Sequence, residues 1–308
     1  MTIQQVRYVI EIARHGSFSE AAKALFVSQP SLSNAVKELE TELNIKIFTR
    51  TSRGIDLSAE GQEFMGYAMQ LMDRAGAIAE RYSGAEERAR LEFSVSSQHY
   101  FFVERAFLNL LRGSEGARYD MRLRETSTIR IIEDVSTRVS EVGVLFFSDV
   151  NQRFLKKRIA DNKLKYERVI RVNACALIRA EHPLAKRKAI AFEELKPYPF
   201  VLYEQEGAAA QIYGEEILPP FTPDHVVRCF DRNTLISIIR GTNGCNVGSG
   251  LIPPEKRGEI AAIPLTDEAE MEIVWIHREG AALTAAAKRF IESMTACTHD
   301  WAGGQEGI

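Results

Sequence analysis

Residues Ser17 to Gly61 constrain this chain more than any other stretch: SFSEAAKALFVSQPSLSNAVKELETELNIKIFTRTSRGIDLSAEG. Gly16 suits the left-handed residue that ends a helix. Ser17 and Glu20 then read as a capping box that opens a helix running through Leu25. Phe26, Val27 and Ser28 make a three-residue turn into a second helix, with Pro30 in its first turn, where the missing N–H costs nothing. There Leu32, Val36, Leu39 and Leu43 recur at helical spacing and form one apolar stripe. At about 100° per residue, Pro30, Ser33, Asn34 and Lys37 fall on the other side. That outer face is small, polar and basic, so nothing bulky bars close approach to a groove. A helix–turn–helix presents such a face to the DNA major groove, although many short helical pairs never touch nucleic acid.

The next residues sharpen the reading. Ile45, Ile47 and Phe48 form a short apolar clasp, and Arg50-Thr51-Ser52-Arg53-Gly54 carries two arginines into a glycine turn. Ile55-Asp56-Leu57 returns as the second strand of a small wing. An arginine at a wing tip contacts phosphates or enters the minor groove, whose negative potential attracts it. With these residues in place, the stretch resembles the winged helix–turn–helix of the LysR-type transcriptional regulators. The pattern is met by Gly16-Ser17-Phe18, Ala21-Ala22, Leu25, Ser28-Gln29-Pro30-Ser31-Leu32-Ser33, Leu39-Glu40, Leu43, Phe48, Arg50, Arg53-Gly54, Leu57-Ser58 and Ala59-Glu60-Gly61. Asn44 stands where the family usually has glycine, and Ile47 where leucine is usual. Asn34-Ala35 replaces longer, often basic or amide side chains, which bears on the bases read rather than on the fold. The resemblance implies DNA contacts from Ser28, Gln29, Pro30, Ser31, Ser33, Asn34, Lys37, Arg50 and Arg53.

Charge lends this reading no support. Through Gly61 the basic residues Arg7, Arg14, Lys23, Lys37, Lys46, Arg50 and Arg53 are matched by Glu11, Glu20, Glu38, Glu40, Glu42, Asp56 and Glu60. The whole chain has a formal net charge of −3, so any DNA contact must be focused rather than a broad basic patch. At 308 residues the chain suits two domains, each with its own core. Met1 to Arg14 is amphipathic and unlike a signal peptide, and no apolar run is long enough to span a bilayer, so a cytoplasmic location is expected. Cys175, Cys229, Cys245 and Cys297 form no C-x-x-C pair, and the histidines are scattered, so no metal and no cofactor are expected.

After the wing, Ser58 caps a long helix reaching toward Arg88. Along it Phe64, Ala68, Leu71, Ala75, Ile78 and Tyr82 alternate steps of four and three, a heptad seam suited to pairing two chains. Ser83 to Arg90 is polar and charged, a hinge. From Leu91 strands and helices alternate, which implies parallel sheets. Strands are expected at Leu91–Val95, Tyr119–Glu125, Gly143–Phe147, a pair around Val169–Ile178, Phe200–Tyr203, Val226–Phe230 and Ala269–His277. Helices are expected over Ile129–Val139, Thr234–Arg240 and Leu283–Met294, with a helix face at Val103, Phe107, Leu110 and Leu111.

This order resembles the LysR-type effector region, two α/β lobes joined by crossing strands like a periplasmic binding protein. Supporting marks are Glu181-His182-Pro183-Leu184, Gly250-Leu251-Ile252-Pro253 and Ile273-Val274-Trp275; Glu141-Val142-Gly143-Val144 lacks the aspartate usual before that strand. The expected organisation is an all-α winged helix–turn–helix over 1–61, a linker helix over 58–88, and an α/β two-lobed domain over 91–298 with a tail over 299–308. Lobe I takes 91–165 and 267–298, and lobe II takes 166–266. Ligands in open parallel sheets bind beyond the carboxyl ends of strands. Those ends are Ser96-Ser97-Gln98, Thr126-Ser127-Thr128, Phe147, Tyr203-Glu204-Gln205 and Phe230, and the hydroxyls and helix N–H groups at Ser97 and Thr128 suit a small organic anion. The resemblance carries the effector role to Ser96, Gln98, Thr126, Thr128, Phe147, Tyr203, Gln205, Phe230 and Asn246; Ser and Thr after strands are equally ordinary helix caps. It also implies a homodimer or homotetramer on a pseudo-palindromic operator, with RNA polymerase as a further partner. Some members of the family sense oxidants through a cysteine pair, for which Cys229 and Cys245 are the nearest spaced here. No catalytic motif such as G-x-S-x-G or HExxH appears, so an enzyme is not expected. The alternatives are a DNA-binding protein without an effector and, more distantly, a small-molecule enzyme fused to a helix–turn–helix.

Overall fold

The computed structural model describes residues 1–51, 54–82, 90–204 and 214–303, with backbone only at 50, 51, 54, 73, 77, 80–82 and 303. It divides into two units, Met1–Ala89 and Arg90–Ile308.

The first unit begins with helices α1 (Ile3–His15), α2 (Phe18–Ala24) and α3 (Gln29–Leu43). Val6, Val9 and Ile12 of α1, Ala21 and Ala22 of α2, and Leu32, Val36 and Leu39 of α3 are buried together with Ile47. Each such aliphatic side chain contributes about 2 kcal/mol when fully buried. The caps follow local chemistry. Thr2 and Gln5 form a reciprocal capping box on α1. Ser17 caps α2 by accepting from the Ser19 N–H, while Glu20 turns away to pair with Lys23 at 2.8 Å, so the expected Ser17–Glu20 box does not form. Asn44 ends α3 at φ 53, a left-handed position that asparagine tolerates in place of glycine.

Strands β1 (Phe48–Thr51) and β2 (Gly54–Leu57) pair antiparallel as the wing, with Phe48 opposite Leu57. Glu40 ties it to α3: its Oε1 accepts the Ile47 and Phe48 N–H groups at 2.8 and 3.2 Å. Helix α4 (Ala59–Tyr82) starts against the same strand. Ser58 Oγ accepts the Gly61 N–H at 2.9 Å and donates to the Lys46 carbonyl. A Cβ on Gly61 would stand 2.1 Å from the Ile47 carbonyl oxygen, so only glycine permits this approach.

The second unit contains one larger and two smaller sheets among the described residues. The larger joins β3 (Leu91–Ser97), β4 (Tyr119–Glu125), β5 (Val142–Phe147), β6 (Leu164–Asn173) and β12 (Glu270–Arg278) in the order β4-β3-β5-β12-β6. β3 is parallel to β4 and β5, whereas β12 runs antiparallel to β5 and β6. Every residue of β5 is buried, as expected of a central strand covered on both faces. Its flanking helices are α5 (Phe101–Arg112), α6 (Thr128–Ser136), α7 (Gln152–Asp161) and the C-terminal helix Ala285–Gly303. Gly143 lets α6 close on the sheet, since a Cβ there would lie 2.7 Å from Ile131 and Ile276. Glu141, where an aspartate is usual, caps the C-terminal helix by accepting from the Thr284 N–H at 2.7 Å.

The second lobe pairs β7 (Cys175–Arg179) with β10 (Asn246–Gly248) and β11 (Ile260–Pro264), all antiparallel. β8 (Phe200–Tyr203) and β9 (Val226–Cys229) run parallel beside it, bridged through Phe200 and Cys245. The chain therefore crosses between lobes at Ala174 rather than near residue 166, because β6 completes the edge of the larger sheet. The return crossing is tied to it: Ala174 N–H donates to Ala269 O and Leu265 N–H to Ala174 O.

Candidate nucleic-acid interface and effector cleft

On α3 the apolar stripe turns inward and its opposite side is open. Ser28, Gln29, Pro30, Ser31, Asn34 and Lys37 are exposed, and Ser33 is half-buried. Ser28 caps the helix by accepting from the Ser31 N–H at 3.2 Å, and the two hydroxyls lie 2.7 Å apart. Beyond Lys37 the same side becomes acidic: Glu38 and Glu42 join Asn34, Lys37 and Thr41 around an open hollow, and the N-terminal amine pairs with Glu42. Carboxylates repel phosphate, so the acidic C-terminal half of α3 is less suited to lie against a nucleic-acid backbone than the N-terminal half. Arg50 stands on β1 opposite Ile55. Its side chain and all of Arg53 lie outside the described residues.

The heptad seam on α4 is divided. Phe64 packs on the core of the three helices and Ala68 is buried, so both serve their own unit. Ala75 is half-buried, whereas Leu71 and Ile78 are 37% and 62% exposed. The Tyr82 side chain is not described.

Between the two lobes lies a cavity of about 50 Å³, room for a few waters or a very small ligand. Gln98 is its hub. It donates to Thr128 Oγ1 at 2.7 Å and accepts from Tyr100 Oη at 2.7 Å and Phe146 N–H at 3.1 Å. Across from it Glu216 accepts the Tyr203 N–H at 2.6 Å and an Asn246 amide proton at 3.4 Å. Ion pairs bridge the lobes here. His99 Nδ1 meets Glu215 at 2.6 Å, its ring stacked 4.0 Å from Tyr203. Arg232, at the start of helix α8 (Arg232–Gly241), meets Glu104 at 2.6 Å and Glu125 at 3.1 Å, with its guanidinium 4.6 Å from the Phe101 ring centre.

Burial and mutual charge set the protonation here. Burial, then the neighbouring Glu215, push the Glu216 carboxyl up to about 8, against the hydrogen bonds from Tyr203 and Asn246. Burial alone would lower the His99 imidazole, but the hydrogen bond and charge of Glu215, helped by Glu125, outweigh it and hold it above its ordinary value. Glu125 is raised by burial despite Arg232. The cleft is thus a dense set of carboxyl groups, that of Glu216 held neutral, set against one guanidinium and one imidazole.

Residues 3–62 match the bacterial regulatory helix–turn–helix proteins of the lysR family, and residues 117–297 match the LysR substrate binding domain. This chain belongs to the LysR family of transcriptional regulators. It is 24% identical over 283 residues to YnfL, an uncharacterized HTH-type transcriptional regulator of Escherichia coli K12, covering 89% of this chain and 91% of that one. It is 23% identical over 271 residues to the HTH-type regulator CysB of Burkholderia cenocepacia, covering 86% and 83%. The solved structure of CbnR in complex with its target DNA superposes with a TM-score of 0.59 at 18% identity, covering 96% of this chain and all of that one, a likeness of fold.

As a LysR-family protein it carries a DNA-binding helix–turn–helix and a substrate-binding domain, and the two expected sites differ in how the structure places them. All described members of the α3 set share one surface. Of the effector set, Gln98, Tyr203 and Asn246 line the cavity. Thr128 supports Gln98 from behind, and Thr126 is half-buried with its N–H donated to Ser97 O. Ser96 is turned into the protein, donating to Asp134 at 2.7 Å beside Ser140. Ser97 is fully buried. Phe147 sits in the core against Tyr166, and Phe230 is 77% exposed. None of these four, nor Thr126 or Thr128, lines the cavity: the end of a strand is legible in sequence, but which neighbouring element covers each of its two faces is not. Gln205 lies outside the described residues. His99, Glu215, Glu216 and Arg232 were missed; a histidine directly after Gln98 was a signal, the paired glutamates were not.

The cysteines are free. Cys229 lies on β9 and Cys245 is bridged to Phe200 of β8, on opposite edges of that strand. Two strand spacings, roughly 9–10 Å, exceed disulfide reach. Burial pushes both thiols up, to about 11 and about 12, the reverse of a reactive pair.

Proposed function

We propose that this regulator binds a pseudo-palindromic operator as a dimer or a dimer of dimers, acting in the cytoplasm without catalysing a reaction. A small molecule seated between the lobes controls it. The observation that carries the reading is the open polar face over the first turns of α3, in a chain whose two halves match the two LysR domains. The exposed Leu71 and Ile78 support pairing through α4, because an apolar seam left open in one chain is covered by another. The regulator names of the relatives favour a sensor over an enzyme, and RNA polymerase is the further partner such a regulator would meet.

The lining also bears on the effector. Glu215 and Glu216 line the space where a small organic anion was expected; Glu216 is held neutral, so the carboxylate a bare anion would meet is that of Glu215, already paired with His99. The effector we propose brings a hydrogen-bond donor to Glu215 and an acceptor to the protonated Glu216, and stacks its apolar part on Tyr203. It acts by binding unequally to two arrangements of the lobes, the requirement for any allosteric effect. Footprinting upstream of the chain's own and neighbouring genes, repeated against a metabolite panel, tests the whole reading. Protection that changes with one metabolite is expected; a chain that prefers no fragment over random duplex overturns it.

A further inference from the structure

The turn between α2 and α3 contains a side chain that the fold alone does not explain. α2 ends in a complete Schellman motif: the Val27 N–H donates to Ala22 O at 3.0 Å and the Phe26 N–H to Lys23 O at 3.2 Å. The residue that donates the second of these bonds must be left-handed, and glycine is the usual occupant because a Cβ there crowds the backbone. Here it is Phe26, at φ 54. The other described non-glycine residues with positive φ are Asn44, Arg138 and Lys163, of which asparagine is a tolerated type and the two cations have flexible stems. A bulky aromatic ring at such a position is the outlier.

Phe26 is also 95% exposed, more than any other large hydrophobic residue described. The motif's usual apolar anchor is supplied by its neighbour, since Val27 packs on the three-helix core. The ring therefore carries both a conformational cost and a solvation cost, and no contact within the first unit repays either. Its place is specific: two residues before the Ser28 cap, at the head of the exposed run Ser28-Gln29-Pro30-Ser31. The resemblance to the LysR family gives that run its DNA contacts, and Phe26 precedes it by two residues, exposed as it is.

We propose that Phe26 is a specificity-determining residue, its ring lying against a thymine C5-methyl group at the margin of the half-site read by α3. Apolar contact is how protein side chains recognise that methyl group in the major groove. The proposal rests on the DNA-binding reading above.

The test uses the full chain and a duplex that the unaltered chain selects from a random library. Phe26→Gly relieves the left-handed strain, so its melting midpoint is expected to rise by a few degrees. Its affinity for the selected duplex is expected to fall about tenfold, with affinity for random duplex unchanged. Phe26→Leu, which keeps an apolar contact, should retain most of the affinity. Replacing thymines one at a time by deoxyuridine should reveal one position per half-site that weakens the unaltered chain and leaves Phe26→Gly indifferent. Equal affinity of Phe26→Gly for the selected duplex overturns the proposal. So does an equal loss on all duplexes with no thymine effect, which marks a backbone contact, or a loss that follows weaker dimerisation. If the unaltered chain selects no duplex at all, it is the DNA-binding reading that has failed.

Discussion

The reading face of α3 and the cleft between the lobes are both polar, but they are built in opposite ways. The face is drawn from consecutive turns of one helix, stands in solvent and contains no buried charge. The cleft is assembled from residues 98–101, Tyr203, Glu215, Glu216, Arg232 and 246–252, and it buries carboxylates against an imidazole and a guanidinium. The first is held by an apolar stripe behind it and tolerates change at its surface. The second is itself part of what holds the lobes together, so changes there register in stability and in pH response. A surface that reads DNA must leave its groups free for the partner, whereas a cleft that switches needs contacts that can be exchanged.

Substitutions that respect or cross this division test it, beginning with the largest effect. Gly61→Ala forces a Cβ into the Ile47 carbonyl and should cost on the order of 3 kcal/mol or more, measured as loss of first-unit melting with loss of DNA binding. A normal melting profile would show that α4 approaches the wing differently. Arg232→Met leaves Glu104 and Glu125 without their shared cation and should lower second-unit stability by roughly 2–3 kcal/mol while half-site binding persists. If instead DNA binding fails and melting is unmoved, the two regions are not separable as described.

The third effect is read against pH. Glu216 holds its proton in the folded chain up to about pH 8, against an ordinary value of 4.5, so the folded state binds more protons than the unfolded one between those values. Stability of the second unit should therefore be fully present below about pH 4.5 and decline as pH rises toward 8. His99, also raised, adds loss of the same sign. Glu216→Gln should flatten the decline, as followed by denaturant titration at several pH values; an unchanged slope would remove Glu216 from the account. The smallest effect is expected at the wing, where Arg53→Ala should weaken binding about tenfold across sequences and reduce the salt slope by about one. Unaltered affinity and slope would reject the wing contact.

How far the sequence could be read followed the same division. The spacing of Leu32, Val36 and Leu39 orients α3, and so places Asn34 and Lys37 outside, without reference to any other part of the chain. The wing was legible for a similar reason, since its two strands lie close together along the chain. The glutamate of the supposed Ser17–Glu20 box was misread because Lys23 offered it a charged partner three residues on. The seam on α4 was read as one stripe between chains, but Phe64 packs on, and Ala68 is buried within, their own unit. In the cleft, strand ends were located to within a residue or two, but one residue decides which side a side chain faces. Ser96 and Phe147 were assigned outward and lie inward.

The sequence by itself determined most of the elements, the outward face of α3 and the family, because each rests on contacts between residues close along the chain or on fixed spacing; α7, β10 and β11 it did not show. Only the tertiary structure decided that His99 faces Glu215 across more than a hundred positions and that Glu216 keeps its proton. It likewise placed a strand between Cys229 and Cys245. Charge–charge energy and desolvation depend on distance and burial in space, and neither is written in the order of residues.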